Sequence, residues 1–501
     1  SSHLRMLEFR PFSADQPKCR EWIDELTAIG TELEFRTVIG LEVHAQVLTQ
    51  SKMFCSCSAE YASATPNTHV CQTCMGLPGA LPVINRAAIE SVIRTGLALG
   101  STVPSFCKLD RKNYFYPDLP KGYQVSQYDL PLCVGGQLTF TSEGVEKTAG
   151  ITRVHIEEDT GRLLHREELG ESVSLVDLNR SGVPLMEIVG DPDLTSPAEA
   201  RDYLIALRQI LRYIGASTGN MEEGAFRCDA NISTRTLDGT IVGEKVEIKN
   251  MNSFRAVERA LVYEEERQRS VLARGESIPQ ETRGWVDAKG ITVSQRTKES
   301  AHDYRYFPEP DLPPLTIEMT FVDRIQSDLP ELPRARKARF IETYRLTASE
   351  ADLLTLERET ANYFETAIGA SASPERPKQL SNWLLNDVFG LQRERGMRFD
   401  QFPIEPAQLN ALVDLVENGD LTGRGGKDLL AGIQPGEGAR AAAERLDLIS
   451  VGDIDVVRAA AQATLAANPA AVDDYRAGKK AAIGRLMGET IRATGGRGRP
   501  D

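Results

Sequence analysis

Val38-Ile39-Gly40-Leu41-Glu42-Val43-His44 is dense in apolar and β-branched residues, and only Gly40 weakens it. It reads as a β-strand. Side chains at i and i+2 of a strand share a face, so Glu42 and His44 project together, about 7 Å apart along the strand. A carboxylate beside an imidazole suits a metal or a proton-transfer site. Taken alone, the pair reads more readily as a polar strand face. Only partners from other segments would make it a site.

The bulk properties narrow what the chain can be. At 501 residues it should hold two or three domains. With 41% hydrophobic and 26% charged residues it is globular. No apolar run approaches the roughly 20 residues needed to cross a bilayer. Ser1-Ser2-His3 reads as an appended tag remnant and no secretory segment follows, so cytoplasm is the expected location and no membrane is expected as a partner. The eight cysteines then read as metal ligands or buried thiols rather than disulfides. A net charge of −14 argues against general nucleic-acid binding but allows a local basic patch.

Residues 7–34 carry no clear signal. From 35 to about 310, short strands and turns alternate irregularly with a few helices. One helix is expected at 86–99, with Asn85 as N-cap and Gly100 as stop. A second is expected at 197–214, where Ser196 caps, Pro197 opens and Glu199 completes a capping box. A third runs from Ser253 to Arg274. Ile151–Ile156, Ser172–Val176 and Glu244–Ile248 read as strands. Helices set among strands without strict alternation indicate α+β, not a parallel βαβ sheet. The proline-dense Phe307–Pro314 is expected to end this domain or lead out of it. Beyond about 330 the pattern is helical, over Arg334–Tyr344, Ser349–Ile368 and Pro377–Gln392. Past Phe402 the only aromatic is Tyr475, which suggests a separate small helical domain. The stretch Tyr475–Pro500 carries seven basic residues, Arg476, Lys479, Lys480, Arg485, Arg492, Arg497 and Arg499, against the single acid Glu489. The expected domains are therefore 36–328, 329–405 and 406–497.

Cys55-Ser56-Cys57 and Cys71-Gln72-Thr73-Cys74 are separated by thirteen residues. Two close thiol pairs joined by a loop suit tetrahedral zinc of the closed, structural kind. Buried or redox-active thiols are the alternative, and His69 is a substitute ligand. Cys19, Cys107, Cys133 and Cys228 are isolated and read as packing residues.

The loop Asp110–Gln124 combines basic donors with Tyr114, Tyr116 and Tyr123 and is stiffened by Pro117 and Pro120. Such loops stack rings and bind anions, although a solvated loop with its aromatics turned inward has the same composition. His155-Ile156-Glu157-Glu158-Asp159 adds three acids. Glu187 lies in the apolar strand Pro184–Val189, where a lone carboxylate needs a partner or a metal. Glu222-Glu223-Gly224, Arg227–Asn231 and Glu247–Ser253 follow, the last running into a helix N-terminus that favours anions. Many acids with scattered Lys and Arg suit magnesium and phosphate, but equally a set of solvated strand ends. No Walker loop or kinase signature occurs. Nor is there a plausible Gly-x-Ser-x-Gly nucleophile elbow, so no amidase centre is expected.

Taken in order, Val38–His44, Asp110–Gln124, Ile151–Asp159, Val176–Val189, Met221–Ile232, Glu247–Phe254 and Asp303–Pro310 resemble the B subunits of tRNA-dependent amidotransferases. The resemblance runs over about residues 36–500. Asp-Arg-Lys-Asn-Tyr-Phe-Tyr-Pro-Asp at 110–118 is its most specific motif. It implies a glutamine-synthetase-like cradle domain, then a helical domain, then a mobile YqeY-like helical tail that approaches the tRNA. It implies ATP-dependent phosphorylation of the side-chain carboxylate of Glu-tRNA(Gln), Asp-tRNA(Asn) or both, followed by amidation with ammonia. The implied partners are an amidase A subunit that supplies the ammonia, a small C subunit, mischarged tRNA and a non-discriminating aminoacyl-tRNA synthetase.

Residue by residue, the resemblance implies Mg²⁺ held around Glu42, His44, Glu158 and Glu187. It places Tyr114 and Glu157 beside the active site and Lys112 and Lys121 near the ammonia exit. Lys249, Asn250, Asn252 and Ser253 are implied in binding nucleotide or the tRNA end, with Arg305 and Tyr306 lining the site. Lys479, Lys480, Arg485 and Arg492 are the implied tRNA contacts. Some members lack the paired cysteines, but this chain has both pairs and should carry zinc. Arg485 stands where an apolar residue is common, which makes it a phosphate contact or a neutral surface change. The competing readings are a non-catalytic tRNA-binding scaffold and an independent ligase for free ammonia and a small acid.

Overall fold

The computed structural model describes residues 34–168, 171–239, 242–297, 301–369, 373–397, 399–450 and 454–493. Cys19, Arg497 and Arg499 lie outside them. The chain forms two compact units. One comprises the residues up to Leu207 with Ser217–Gln326, and the other Arg208–Ala216 with the residues from Ser327 onward.

The first unit is built on a nine-stranded sheet whose central strand contains the opening stretch. The strands are β1 Phe35–Gln46, β4 Cys133–Val134, β5 Gln137–Ser142, β6 Val145–Glu158, β7 Pro184–Gly190, β8 Phe226–Thr236, β9 Val246–Lys249, β10 Glu281–Val286 and β11 Ile291–Thr297. Their order is β11-β10-β9-β8-β1-β7-β6-β4, with β5 also paired to β6. The β9–β10 pair is parallel and the other described pairs are antiparallel. A small separate sheet holds β2 Asp110–Asn113 and β3 Tyr123–Ser126.

Strand β1 shows why the sheet has two unlike faces. Ile39, Leu41, Val43 and Ala45 are fully buried, whereas Glu42, His44 and Gln46 on the other face are only partly covered. The period of two divides core from cavity. The core face is covered in part by helix α3, Phe254–Ala273, whose Glu265 bonds Thr37 of β1. Helix α1, Arg86–Ala98, packs on β6. The Asn85 side chain caps α1, its Oδ1 accepting from Ala87 and Ala88 N at 2.9 and 3.3 Å, and Ser253 Oγ caps α3 by accepting from Ala256 N at 3.1 Å. At α2, Pro197–Tyr213, the Glu199 N–H donates to Ser196 Oγ as expected. Its carboxylate, however, reaches Thr195 rather than the backbone of Ser196.

Three expectations change. Phe307–Pro308 does not lead out of the unit: it pairs with Arg111 and Asp110, and Arg111 is clamped by Glu309 through two 2.7 Å hydrogen bonds. The helix expected over Ser349–Ile368 is two, Ala348–Leu354 and Arg358–Ile368. Thr355 stops the first, with its N–H and its hydroxyl both donating to Ala351 O. The helix expected over Pro377–Gln392 runs from Arg376 to Arg395 through one wider turn at Trp383–Val388, and ends at left-handed Gly396.

The helical unit has one buried cluster reaching from Phe340 through Phe364, Leu380, Ile404, Leu412 and Leu429 to Ala443. Position 405, where the composition changes, lies inside that packing and not at a gap in it. The helices Ile454–Ala467, Pro469–Arg476 and Ala482–Ala493 pack on one another.

Candidate active site and metal centre

The register of the sheet assembles the site. His44 pairs with Arg227 on one side and Glu187 on the other, and Glu187 pairs with His155. Cross-strand partners share a face, so Arg227, His44, Glu187 and His155 form one row across β8, β1, β7 and β6. The next row is Asp229, Glu42, Val189 and Arg153. Glu157 pairs with Leu185, one step beyond His155. Together they floor a cavity of about 520 Å³ whose walls include Lys112, Tyr114, Gln124, Tyr304 and Tyr306.

Inside it, His44 Nε2 lies 3.4 Å from Glu187 and 3.7 Å from Glu157. His155 Nε2 lies 3.3 Å from Glu187 and 3.5 Å from Glu157. Burial works against charge on both imidazoles, but the two carboxylates outweigh it and hold both above the ordinary histidine value, His155 at about 9. Glu187 is held well below the carboxylate range because His155 and His44 overcome its burial. Lys112 is likewise kept charged against its burial by Glu157. Its ammonium sits over the Tyr304 ring, 5.1 Å from the centroid. His44, Glu157 and Glu187 each offer a ligand atom within 4.8 Å of the others. Two carboxylates and an imidazole fit a divalent cation.

The expected residues divide. Glu42, His44, Lys112, Tyr114, Glu157, Glu187, Lys249 and Tyr306 all line the cavity. Glu42 is held there by the Asn231 amide at 2.8 Å, and Lys249 pairs with Asp229. Tyr114 OH donates to Gln124 at 3.2 Å, and Tyr306 stacks on Tyr128 with centroids 4.5 Å apart. Asn250, Asn252, Ser253 and Arg305 do not line it. Ser253 is occupied as a cap, and Arg305 has its own carbonyl bound by the Asn113 amide.

Glu158 and Lys121 also lie elsewhere. One residue after Glu157, Glu158 turns to the opposite side of β6, pairs with Lys121 and accepts from Val125 N at 2.9 Å. Both line a second cavity of about 190 Å³, together with Phe54, Cys55, Cys74, Tyr123 and Glu309. The strand pattern does not bring Glu158 to His44; Glu157 takes that place. The residues that sequence reasoning missed are Arg153 and Arg227 as cavity groups and His155 as a partner of both carboxylates. The alternation Arg153-x-His155-x-Glu157 was the available signal.

The four sulfurs of Cys55, Cys57, Cys71 and Cys74 lie within 4.8 Å of one another. A tetrahedral site with zinc–sulfur distances of about 2.3 Å would space them at about 3.8 Å, and Cys71 and Cys74 are 3.9 Å apart. The Cys74 thiol is pulled down to about 5, chiefly by its hydrogen bond with Cys55 and further by Lys52. Cys107, Cys133 and Cys228 are buried singly. Gly215–Gly219 does spell Gly-x-Ser-x-Gly, but it follows helix α2 rather than a strand, and Ser217 is buried with its Oγ accepting from Gly219 N. It has no elbow geometry.

Fold and site thus define a two-unit α+β protein with an acid–imidazole cavity suited to a divalent cation. The chain belongs to the GatB/GatE family: residues 37–323 match the model of the GatB/GatE catalytic domain and residues 362–501 that of the GatB domain. It is 56% identical to the B subunit of the aspartyl/glutamyl-tRNA(Asn/Gln) amidotransferase of Thermomicrobium roseum, over 93% of this chain and 97% of the relative. Its identity is 50% to the protein of the same name from Dehalococcoides mccartyi strain CBDB1, over 93% and 97%. With that of Moorella thermoacetica it is 49%, over 93% and 98%.

Proposed function

We propose that this chain is the activating subunit of a tRNA-dependent amidotransferase. It converts the side-chain carboxylate of tRNA-bound glutamate or aspartate to an acyl phosphate with ATP, then to the amide with ammonia. The observation that carries this reading is the row of His44, Glu187 and His155 with Glu157, facing Lys112 across one cavity, in a chain matched over nearly its whole length by amidotransferase B subunits.

A carboxylate resists attack because oxide is a poor leaving group. When a carboxylate oxygen takes the γ-phosphoryl group, ADP leaves and the carbonyl gains phosphate as its leaving group. Ammonia then attacks that carbon, phosphate departs and the nitrogen sheds a proton. His44, Glu157 and Glu187 are the groups that would hold Mg²⁺, which supplies charge neutralisation to the phosphates. His155 keeps both carboxylates ionised and oriented. Lys112 presents a fixed positive charge to the phosphoryl oxygens. Glu42, pinned by Asn231, adds negative charge on the far side of His44. The Lys121–Glu158 cavity, lined from the opposite side of strand β6, belongs to the route by which ammonia reaches this one.

Cys55, Cys57, Cys71 and Cys74 bind zinc and brace the loop after β1. The sheet-rich unit serves as the glutamine-synthetase-like cradle. The exposed Lys479, Lys480, Arg485 and Arg492 contact tRNA phosphates. The amidase, its small companion chain and mischarged tRNA complete the assembly in the cytoplasm.

The test is amidation of mischarged tRNA by the assembled complex, with ammonium as nitrogen donor and ATP present. Glu187→Gln should lower the rate about 100-fold or more, since a metal ligand at a phosphoryl centre supplies several kcal/mol. Full activity in that variant would leave the chain a tRNA-binding scaffold.

A further inference from the structure

Four of the basic groups on the cavity wall are paired with described acids, and Lys112 and Arg153 are not. His44 and His155 face Glu157 and Glu187. Lys249 pairs with Asp229. Arg227 donates to Asp159 at 3.0 Å. Lys112 stands in the field of Glu157. Arg153 has no hydrogen bond or ion pair with any described residue, and its Nε is buried without a partner. It lies two residues before His155 on the same face of β6, at the end of the row that contains Glu42. The residue is only partly covered, so the rest of its guanidinium is open to a ligand in the cavity. Its planar fork matches the oxygens of a phosphate or a carboxylate.

We infer that Arg153 is a substrate-binding residue that takes an oxyanion of the reactants, and that the oxyanion is a phosphate of ATP. The inference rests on the proposed reading of this cavity as the phosphoryl-transfer site. One feature favours the nucleotide over the carboxylate of the aminoacyl group. Arg153 shares the cavity with the stacked Tyr128 and Tyr306, rings of the kind on which a base lies flat. With Lys112, Arg153 is a cavity cation that no described acid holds in an ion pair, so the two together offer positive charge to the phosphates.

The experiment measures binding of ATP and of adenosine to the full-length chain, and the KM for aminoacyl-tRNA in the amidation assay. The variants are Arg153→Gln and Arg153→Lys. Loss of one charge-assisted fork should weaken ATP binding about 10- to 100-fold in Arg153→Gln, with Lys intermediate. Adenosine binding and the KM for aminoacyl-tRNA should not move. A raised KM for aminoacyl-tRNA with unchanged ATP binding would keep Arg153 as the oxyanion contact and assign it to the acceptor carboxylate. Wild-type values for both in a folded Arg153→Gln protein would overturn the inference and leave the proposed function standing. If the wild-type chain bound no ATP in any assembly, the proposed function would fail, and this inference with it. Because Arg153 has no described protein partner, both variants should fold.

Discussion

Glu157 and Glu158 occupy adjacent positions on β6 and face different cavities. Glu157 accepts from Ser126 Oγ at 2.7 Å and meets both histidines, while Glu158 neutralises Lys121 in the smaller cavity. Their substitutions should separate cleanly. Glu157→Gln keeps the Ser126 hydrogen bond and removes a cation ligand. It should raise the Mg²⁺ concentration for half-maximal amidation about 10- to 100-fold, and it also costs stability because Lys112 loses its chief balancing charge against burial. Glu158→Gln leaves the largely buried Lys121 ammonium without its counter-charge. It should cost about 3 kcal/mol of stability in chemical denaturation and leave the Mg²⁺ dependence alone. Equal Mg²⁺ shifts in the two variants would contradict the assignment of the two acids to different cavities. Arg153 belongs to the same lesson. In the sequence it was one arginine in a strand, and its significance comes from having no partner among the described residues.

Among the elements, the clearest electrostatic clamp lies in the helical unit. Glu365, on the helix Arg358–Ile368, accepts from Arg339 Nη1 at 2.5 Å, from Tyr344 OH at 3.0 Å and from Arg336. These three donors sit on the helix Pro333–Tyr344. Burial alone would raise the Glu365 carboxyl, but hydrogen bonds from Arg339 and Arg336 hold it below the usual range. A carboxyl whose folded pKa is depressed contributes stability above its unfolded pKa, and that contribution is lost as pH falls through the folded value. The helical unit should therefore weaken as the pH drops below roughly 4. Glu365→Gln should flatten that acid limb and cost about 1–3 kcal/mol at pH 7, read by circular dichroism during denaturation. An unchanged acid limb would remove Glu365 from the account. The element boundaries follow equally local causes: Asn85 was legible as a cap because capping is decided within four residues. The break at Thr355 was not, since the apolar stripe of Ser349–Ile368 continues through it.

At the scale of the whole molecule, the helical unit is a single packed body across the composition change. Leu409, Leu412, Val413, Leu429 and Ala442 share the buried cluster with Phe340 and Phe364. Ending the chain at 405 should abolish cooperative unfolding of this unit, because it removes about half of a shared core. Ending it at 450 should preserve that transition, followed calorimetrically, while weakening tRNA binding and reducing its salt dependence. Retention of the transition in the shorter chain would separate the domains at 405 after all. Three properties were decided by the sequence alone: the two-faced strand β1, the helix caps and the paired cysteines. Each depends on spacing over a few residues, where strand and turn geometry act directly. Tertiary structure alone decided that Glu157 and not Glu158 joins His44, that Phe307–Pro308 returns to pair with β2, and that Arg153 lines the cavity without an ion pair to any described residue. Those outcomes depend on which strands are neighbours and in what register, and a register shift of one residue would exchange the two faces of β6.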